Sequence, residues 1–214
     1  MTSHSPLIIG INGIAGAGKD TIANMVALSL DRDNGFKVKT FAFADRLKQA
    51  SAVVFGVPLE HFYDRIKKEE VVPFWNMSPR QMAQKMGTEA CRQGIRDDIW
   101  FKALHQEIMA SGVDVAFITD VRFDNEALYV RGETFEPVEG TNTMAPHNPY
   151  PGVVVNIFRT NQSLIADSDH VSEKGIKTEL KDETIENVNG NPFAAAAALQ
   201  RIVISELEHR RGKA

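Results

Sequence analysis

Leu7-Ile8-Ile9-Gly10-Ile11-Asn12-Gly13-Ile14-Ala15-Gly16-Ala17-Gly18-Lys19-Asp20-Thr21 is the stretch on which the fold turns. Its first six residues form a short apolar, β-branched run, which reads as a buried strand. The next seven, Gly13 to Lys19, match G-x-x-x-x-G-K. Behind them, residues 21–30 place Ile22, Met25, Val26 and Leu28 at helical spacing, and 31–35 supply a stop. A glycine-rich loop between a buried strand and an amphipathic helix is where backbone N–H groups can turn inward around phosphate oxygens. The helix N-terminus adds partial positive charge, and Lys19 can reach the terminal phosphates. Gly13, Ala15, Gly16, Ala17, Gly18, Lys19, Asp20 and Thr21 are therefore the candidate nucleotide-binding residues. The alternative is a glycine-rich turn with a chance lysine, which the flanking strand and helix disfavour.

The residue after the lysine departs from the usual pattern, being Asp20 rather than Ser or Thr, with Thr21 behind it. A carboxylate is a hard oxygen ligand, so Asp20 can hold Mg²⁺ directly or through water, while Thr21 can contact an inner phosphate. Which of the two faces the metal stays open. Asp120 ends a third apolar run, 114–120, where P-loop proteins often keep an acidic magnesium partner; a surface aspartate opening a turn is the plainer alternative.

Moving outward, the spacing predicts a second strand over 37–43 and a helix over 45–55, an order that builds a parallel sheet covered by helices. Ser78-Pro79 reads as an N-cap with proline at the first helical position, opening a helix that runs to Met86 and breaks at Gly87. A further helix is expected over 99–110, a fourth strand over 153–158, a short fifth strand around Ile185 and an Ala-rich closing helix over 192–210. Residues 131–152 have little periodicity and many turn formers, and read as a mobile excursion or lid.

The 214 residues carry 24 Lys and Arg against 28 Asp and Glu, a net charge of −4 that argues against a general nucleic-acid binder. No apolar run nears the roughly 20 residues needed to cross a bilayer. With one cysteine, Cys91, and no secretory pattern at 1–6, a reducing cytoplasm is the expected setting. The six His and single Cys lack metal-ligand spacing.

Phosphoryl transfer needs charge neutralisation and alignment more than covalent help, so cationic side chains are the next candidates: Lys19, Arg46, Lys68, Arg80, Arg92, Arg122 and Arg159. Arg122 follows the strand-ending Asp120 by two residues, which puts it over the C-terminal sheet edge where open α/β folds bind ligands; a surface ion pair to Glu126 competes with that reading. Arg80 and Arg92 read equally as ligands of a second substrate and as solvated arginines, and Arg159, just past the fourth strand, as a lid hinge or a phosphate clamp. Asp45 caps a helix on its bland reading. Phe74, Trp75 and Trp100 are stacking candidates or, more commonly for large aromatics, core.

Several short motifs, taken in order, carry a resemblance: Gly18-Lys19-Asp20-Thr21, Phe43-Ala44-Asp45-Arg46-Leu47-Lys48, Ser78-Pro79-Arg80-Gln81, Gly87-Thr88-Glu89 with Arg92, Thr119-Asp120-Val121-Arg122-Phe123-Asp124-Asn125-Glu126-Ala127, and Asp169-His170-Val171-Ser172-Glu173. Together the chain resembles the deoxynucleoside monophosphate kinases of tailed bacteriophages. The resemblance implies ATP as phosphoryl donor, Mg²⁺, and a deoxynucleoside 5′-monophosphate as acceptor, in the host cytoplasm. It implies Lys19, Arg122 and Asp120 as catalytic residues, Asp20 and Asp120 at the metal, and Asp45, Arg46, Lys68, Arg80, Arg92, Trp100, Arg122, Glu126 and Arg159 on the substrate side. The implied architecture is one α/β P-loop kinase domain: a parallel sheet of about five strands, helices on both faces, a helical monophosphate-binding region within 45–99 and a lid within 131–152. A homodimer is compatible with the sequence. A hydrolase triad from His170, Ser172 and Glu173 is rejected, because Ser172 lacks a nucleophile-elbow context. A coenzyme-precursor kinase and a nucleotide switch or ATPase remain the alternatives.

Overall fold

The computed structural model describes residues 6–141, 143–160, 175–188 and 191–212. The chain divides into two compact units, one over Met1–Ala42 and His105–Ala214, the other over Phe43–Leu104.

The first unit is built on five parallel strands, β1 (Leu7–Asn12), β2 (Val38–Phe41), β3 (Val115–Ile118), β6 (Val153–Phe158) and β7 (Glu183–Glu186), in the order β2-β3-β1-β6-β7. β1 is central and buried at all six positions, so both of its faces need cover, which explains its unbroken apolar run. Leu7, Ile9 and Ile11 point to one face with Phe117, Val155 and Ile157. There they pack against Ile22, Val26 and Leu30 of α1 (Lys19–Asn34) and Leu199 and Val203 of α7 (Pro192–Arg211). The opposite face takes α6 (Asp124–Val130) so closely that a Cβ added at Gly10 would sit 2.9 Å from Val130 Cγ2. The expected parallel sheet of about five strands with helices on both faces is the fold observed. β2 and β3 are shorter than the apolar runs suggested, and α6 is a helix that periodicity did not announce.

Residues 131–152 also depart from expectation. They carry an antiparallel hairpin, β4 (Phe135–Pro137) with β5 (Met144–Pro146), rather than an unstructured excursion. Its base is pinned by the fully buried Asn148, whose amide nitrogen donates to the carbonyls of Tyr129 and Val130, both at 3.1 Å. At three residues each, with prolines ending both strands, the pair is too short for alternation to register.

The second unit is helical: α2 (Phe43–Phe55), α3 (Leu59–Tyr63), a 3₁₀ turn (Lys67–Glu69), α4 (Pro79–Gln84) and a π-helical stretch (Lys85–Gln93), followed by the start of α5 (Ile99–Ser111). It has its own small core of Val57, Phe62 and Met82. Ser78 opens α4 as expected, with a capping box in which Ser78 Oγ accepts from the Gln81 N–H at 3.3 Å and Gln81 Oε1 from the Ser78 N–H at 2.9 Å. The helix does not break at Gly87. The chain continues as the π-helical stretch 85–93, within which Gly87 lies against α2: a Cβ would fall 2.6 Å from Leu47 Cδ2. Among the described residues, no helix is long and apolar enough to cross a membrane.

Candidate active site

The loop between β1 and α1 is shaped by its glycines. Gly13 (φ 147), Gly16 (φ 80) and Gly18 (φ 93) all have positive φ, and at two of them space is also refused to a side chain. A Cβ on Gly13 would stand 2.1 Å from the Ile157 carbonyl oxygen, and one on Gly18 would stand 2.6 Å from Asn187 Nδ2. Gly18 is the N-cap of α1, and no side chain caps that helix, so its first-turn N–H groups face the loop's mouth. Lys19 Nζ donates to the carbonyls of Gly13 at 2.7 Å and Ile14 at 3.0 Å, which lays the ammonium across the loop. A glycine-shaped loop, a helix N-terminus and the Lys19 ammonium thus meet at one place, an arrangement whose chemistry suits a polyphosphate.

The turn after β3 is tied to the start of this loop. Asn12 Nδ2 donates to the Val121 carbonyl at 2.8 Å, and the Val121 N–H donates to the Ile11 carbonyl at 3.2 Å. Asp120 and Arg122 flank that tied residue, Asp120 half-buried and Arg122 exposed. Glu126, expected on the substrate side, is 2% exposed, and its Oε2 accepts the N–H of Arg122 at 2.9 Å and of Phe123 at 3.2 Å. It acts by shaping the turn that carries Arg122. Arg159, just past β6, is half-buried, and its Nε has no hydrogen-bond partner among the described residues.

For magnesium, Asp20 in the exposed first turn of α1 and Asp120 both offer hard oxygen donors. Among the described residues no group of three or more His, Cys, Asp or Glu could hold a metal.

In the helical unit, Asp45 stands in the first turn of α2 and its Oδ1 accepts the Tyr63 hydroxyl at 2.8 Å, while Lys48 lies 4.1 Å over the Tyr63 ring. Arg46 is exposed and Lys68 half-buried. Arg80 Nε pairs with Glu69 Oε1 at 2.7 Å. Arg92 lies inside the π-helical stretch at 8% exposure and donates to the Asp97 carbonyl at 3.0 Å. Trp100 is 7% exposed and its indole N–H is taken by the Gly87 carbonyl at 3.1 Å, so this ring is packing, and the expectation of a stacking surface there gives way. The motif 169–173 lies outside the described residues. Asn12, Asn187 and Asn148 were not singled out in the sequence. Asparagines at strand ends and in loops are common, and only their partners mark these three.

No family model matches the chain. The chain is similar to the deoxynucleoside-5′-monophosphate kinase of Escherichia phage T5, 27% identical over an alignment of 224 positions that covers 79% of this chain and 85% of that protein.

Proposed function

We propose that this relative of a phage kinase is itself a deoxynucleoside monophosphate kinase, transferring the γ-phosphoryl group of ATP, with Mg²⁺, to a deoxynucleoside 5′-monophosphate. The carrying observation is the loop 13–19, with Lys19 Nζ across its mouth and the uncapped N-terminus of α1 behind it. The similarity across 79% of the chain to an enzyme of that name supports the choice of acceptor.

In this reading an oxygen of the monophosphate forms a bond to the γ-phosphorus as the bond to the ADP oxygen breaks, giving ADP and a deoxynucleoside diphosphate. Charge grows on the bridging and equatorial oxygens during that exchange, and the residues act on that charge. The N–H groups of the loop and Lys19 hold the donor phosphates. Arg122, fixed by the Glu126-capped turn, meets the transferring group. Asp120 and Asp20 would hold the metal, which would supply charge neutralisation to the donor phosphates. Asp45, Arg46, Lys68, Arg80 and Arg92 belong to the unit that takes the acceptor, with Arg80 the more accessible of the last two.

A coupled ADP-release assay across deoxy- and ribonucleoside monophosphates tests the proposal. ADP formation that depends on one or more deoxynucleoside monophosphates is the expected result. Acceptor-independent slow hydrolysis would favour a switch or ATPase, and turnover only with a coenzyme precursor would favour the other small-molecule kinase.

A further inference from the structure

The last strand ends on a residue that reaches back to the phosphate loop. Asn187 follows β7 directly, and its backbone N–H donates to the Phe158 carbonyl at 2.8 Å, which fixes it at the C-terminal edge of the sheet. Its side chain is 2% exposed and donates from Nδ2 to the Ala17 carbonyl at 2.8 Å, 170 residues away in sequence. The loop is therefore held at two points: Gly13 is pressed on the Ile157 carbonyl of β6, and Ala17-Gly18 is tied to the residue after β7.

The other end of the same carboxamide tells what the tie is for. Asn187 Oδ1 is buried and has no hydrogen-bond donor among the described residues. Exchanging the two ends would set oxygen against the Ala17 oxygen, so the orientation is forced and the acceptor stays unsatisfied. For fold stability alone this is a poor arrangement, since an apolar side chain of equal size would lose one hydrogen bond and remove one unsatisfied acceptor together. What such a side chain could not do is hold the Ala17 carbonyl outward, and with it keep the N–H groups of the following peptides directed into the loop.

We infer that Asn187 is a positioning residue of the phosphate loop, fixing the Ala17 carbonyl so that the N–H groups at Gly18 and Lys19 are pre-oriented for the donor triphosphate. The inference rests on the kinase reading for the identity of the ligand, but its readout is binding rather than turnover. The test is calorimetric titration of Asn187→Leu and Asn187→Asp with ATP and magnesium, beside thermal unfolding and the KM for the monophosphate. For Asn187→Leu, ATP affinity should fall on the order of tenfold, with the melting temperature shifted by no more than about 2 °C and the acceptor KM unchanged. Asn187→Asp should bind ATP more weakly still, because it sets a carboxylate oxygen against the Ala17 carbonyl and drives it from its place.

Unchanged ATP affinity in Asn187→Leu would overturn the inference, as would a loss of affinity that merely tracks a large fall in melting temperature. An equal rise in both KM values would do so too. A wild-type protein that binds no ATP overturns this inference and the kinase reading together. One that binds ATP yet phosphorylates no monophosphate overturns only the kinase reading, and the Asn187 comparison still decides.

Discussion

At the scale of single residues, the loop 13–19 was legible because its chemistry and its backbone requirements coincide. The same glycines that let N–H groups turn inward are the ones at positive φ, and a pattern of glycines survives in the one-letter string. Lys19→Ala should lower kcat at least about a hundredfold, the scale for losing one preorganised charge-stabilising group, while thermal unfolding stays near wild type because the side chain lies on the loop, with Nζ on the Gly13 and Ile14 carbonyls, and not in the core. Stopped activity with a collapsed melting transition would contradict that account. The supports of the site were much less legible. Glu126 enters the substrate side only through the resemblance, with an ion pair to Arg122 as the plainer reading of its spacing, and its bonds to the backbone N–H groups of Arg122 and Phe123 are encoded by no side-chain pattern. Trp100 reads from sequence as a stacking candidate or as core, and its burial and its bond to the Gly87 carbonyl decide for packing.

At the scale of elements, the long apolar strands and the capped helices could be read in advance, since β1 is buried on both faces and Ser78 carries a complete capping box. The π-helical stretch could not. Glycine inside a helical pattern ordinarily signals an end, and here it signals a close approach instead. Gly87→Ala makes that distinction measurable. Its Cβ would meet Leu47 Cδ2 at 2.6 Å, so overpacking should outweigh the better helix propensity of alanine and cost about 1–3 kcal/mol, read by denaturant unfolding. Trimming the neighbour, as Leu47→Ala in the same chain, should recover part of that loss. A stabilised single variant would show that the contact gives way freely. The hairpin β4–β5 escaped notice for a different reason: its anchor, Asn148, bonds to main-chain carbonyls at the end of α6.

For the whole molecule, pH sensitivity has an identifiable source. His105 Nδ1 lies 2.8 Å from the hydroxyl of the fully buried Tyr129, and burial first, then the neighbouring His147, hold its pKa below the ordinary value of 6.5, with Glu136 pulling the other way. A base whose pKa is lowered by folding takes up its proton more readily in the unfolded chain. The stability it contributes is therefore present above pH 6.5 and is lost as pH falls below it. The melting temperature should drop from pH 7 toward pH 5.5, and His105→Gln should flatten that part of the curve; an unchanged slope would remove His105 as the cause. The order of the strands has a consequence for how the chain comes together. β2 and β3 are neighbours in the sheet, with Phe41 opposite Ile118, yet the whole of the helical unit is strung between them. That pairing has to wait for a long stretch of chain to be gathered in, and because the closure penalty grows only with the logarithm of the length, the stretch can lengthen, shorten or diverge at small cost to the sheet. The unit proposed to take the acceptor is thus an insertion between two sheet neighbours, one that can change its length without rebuilding the strands on either side.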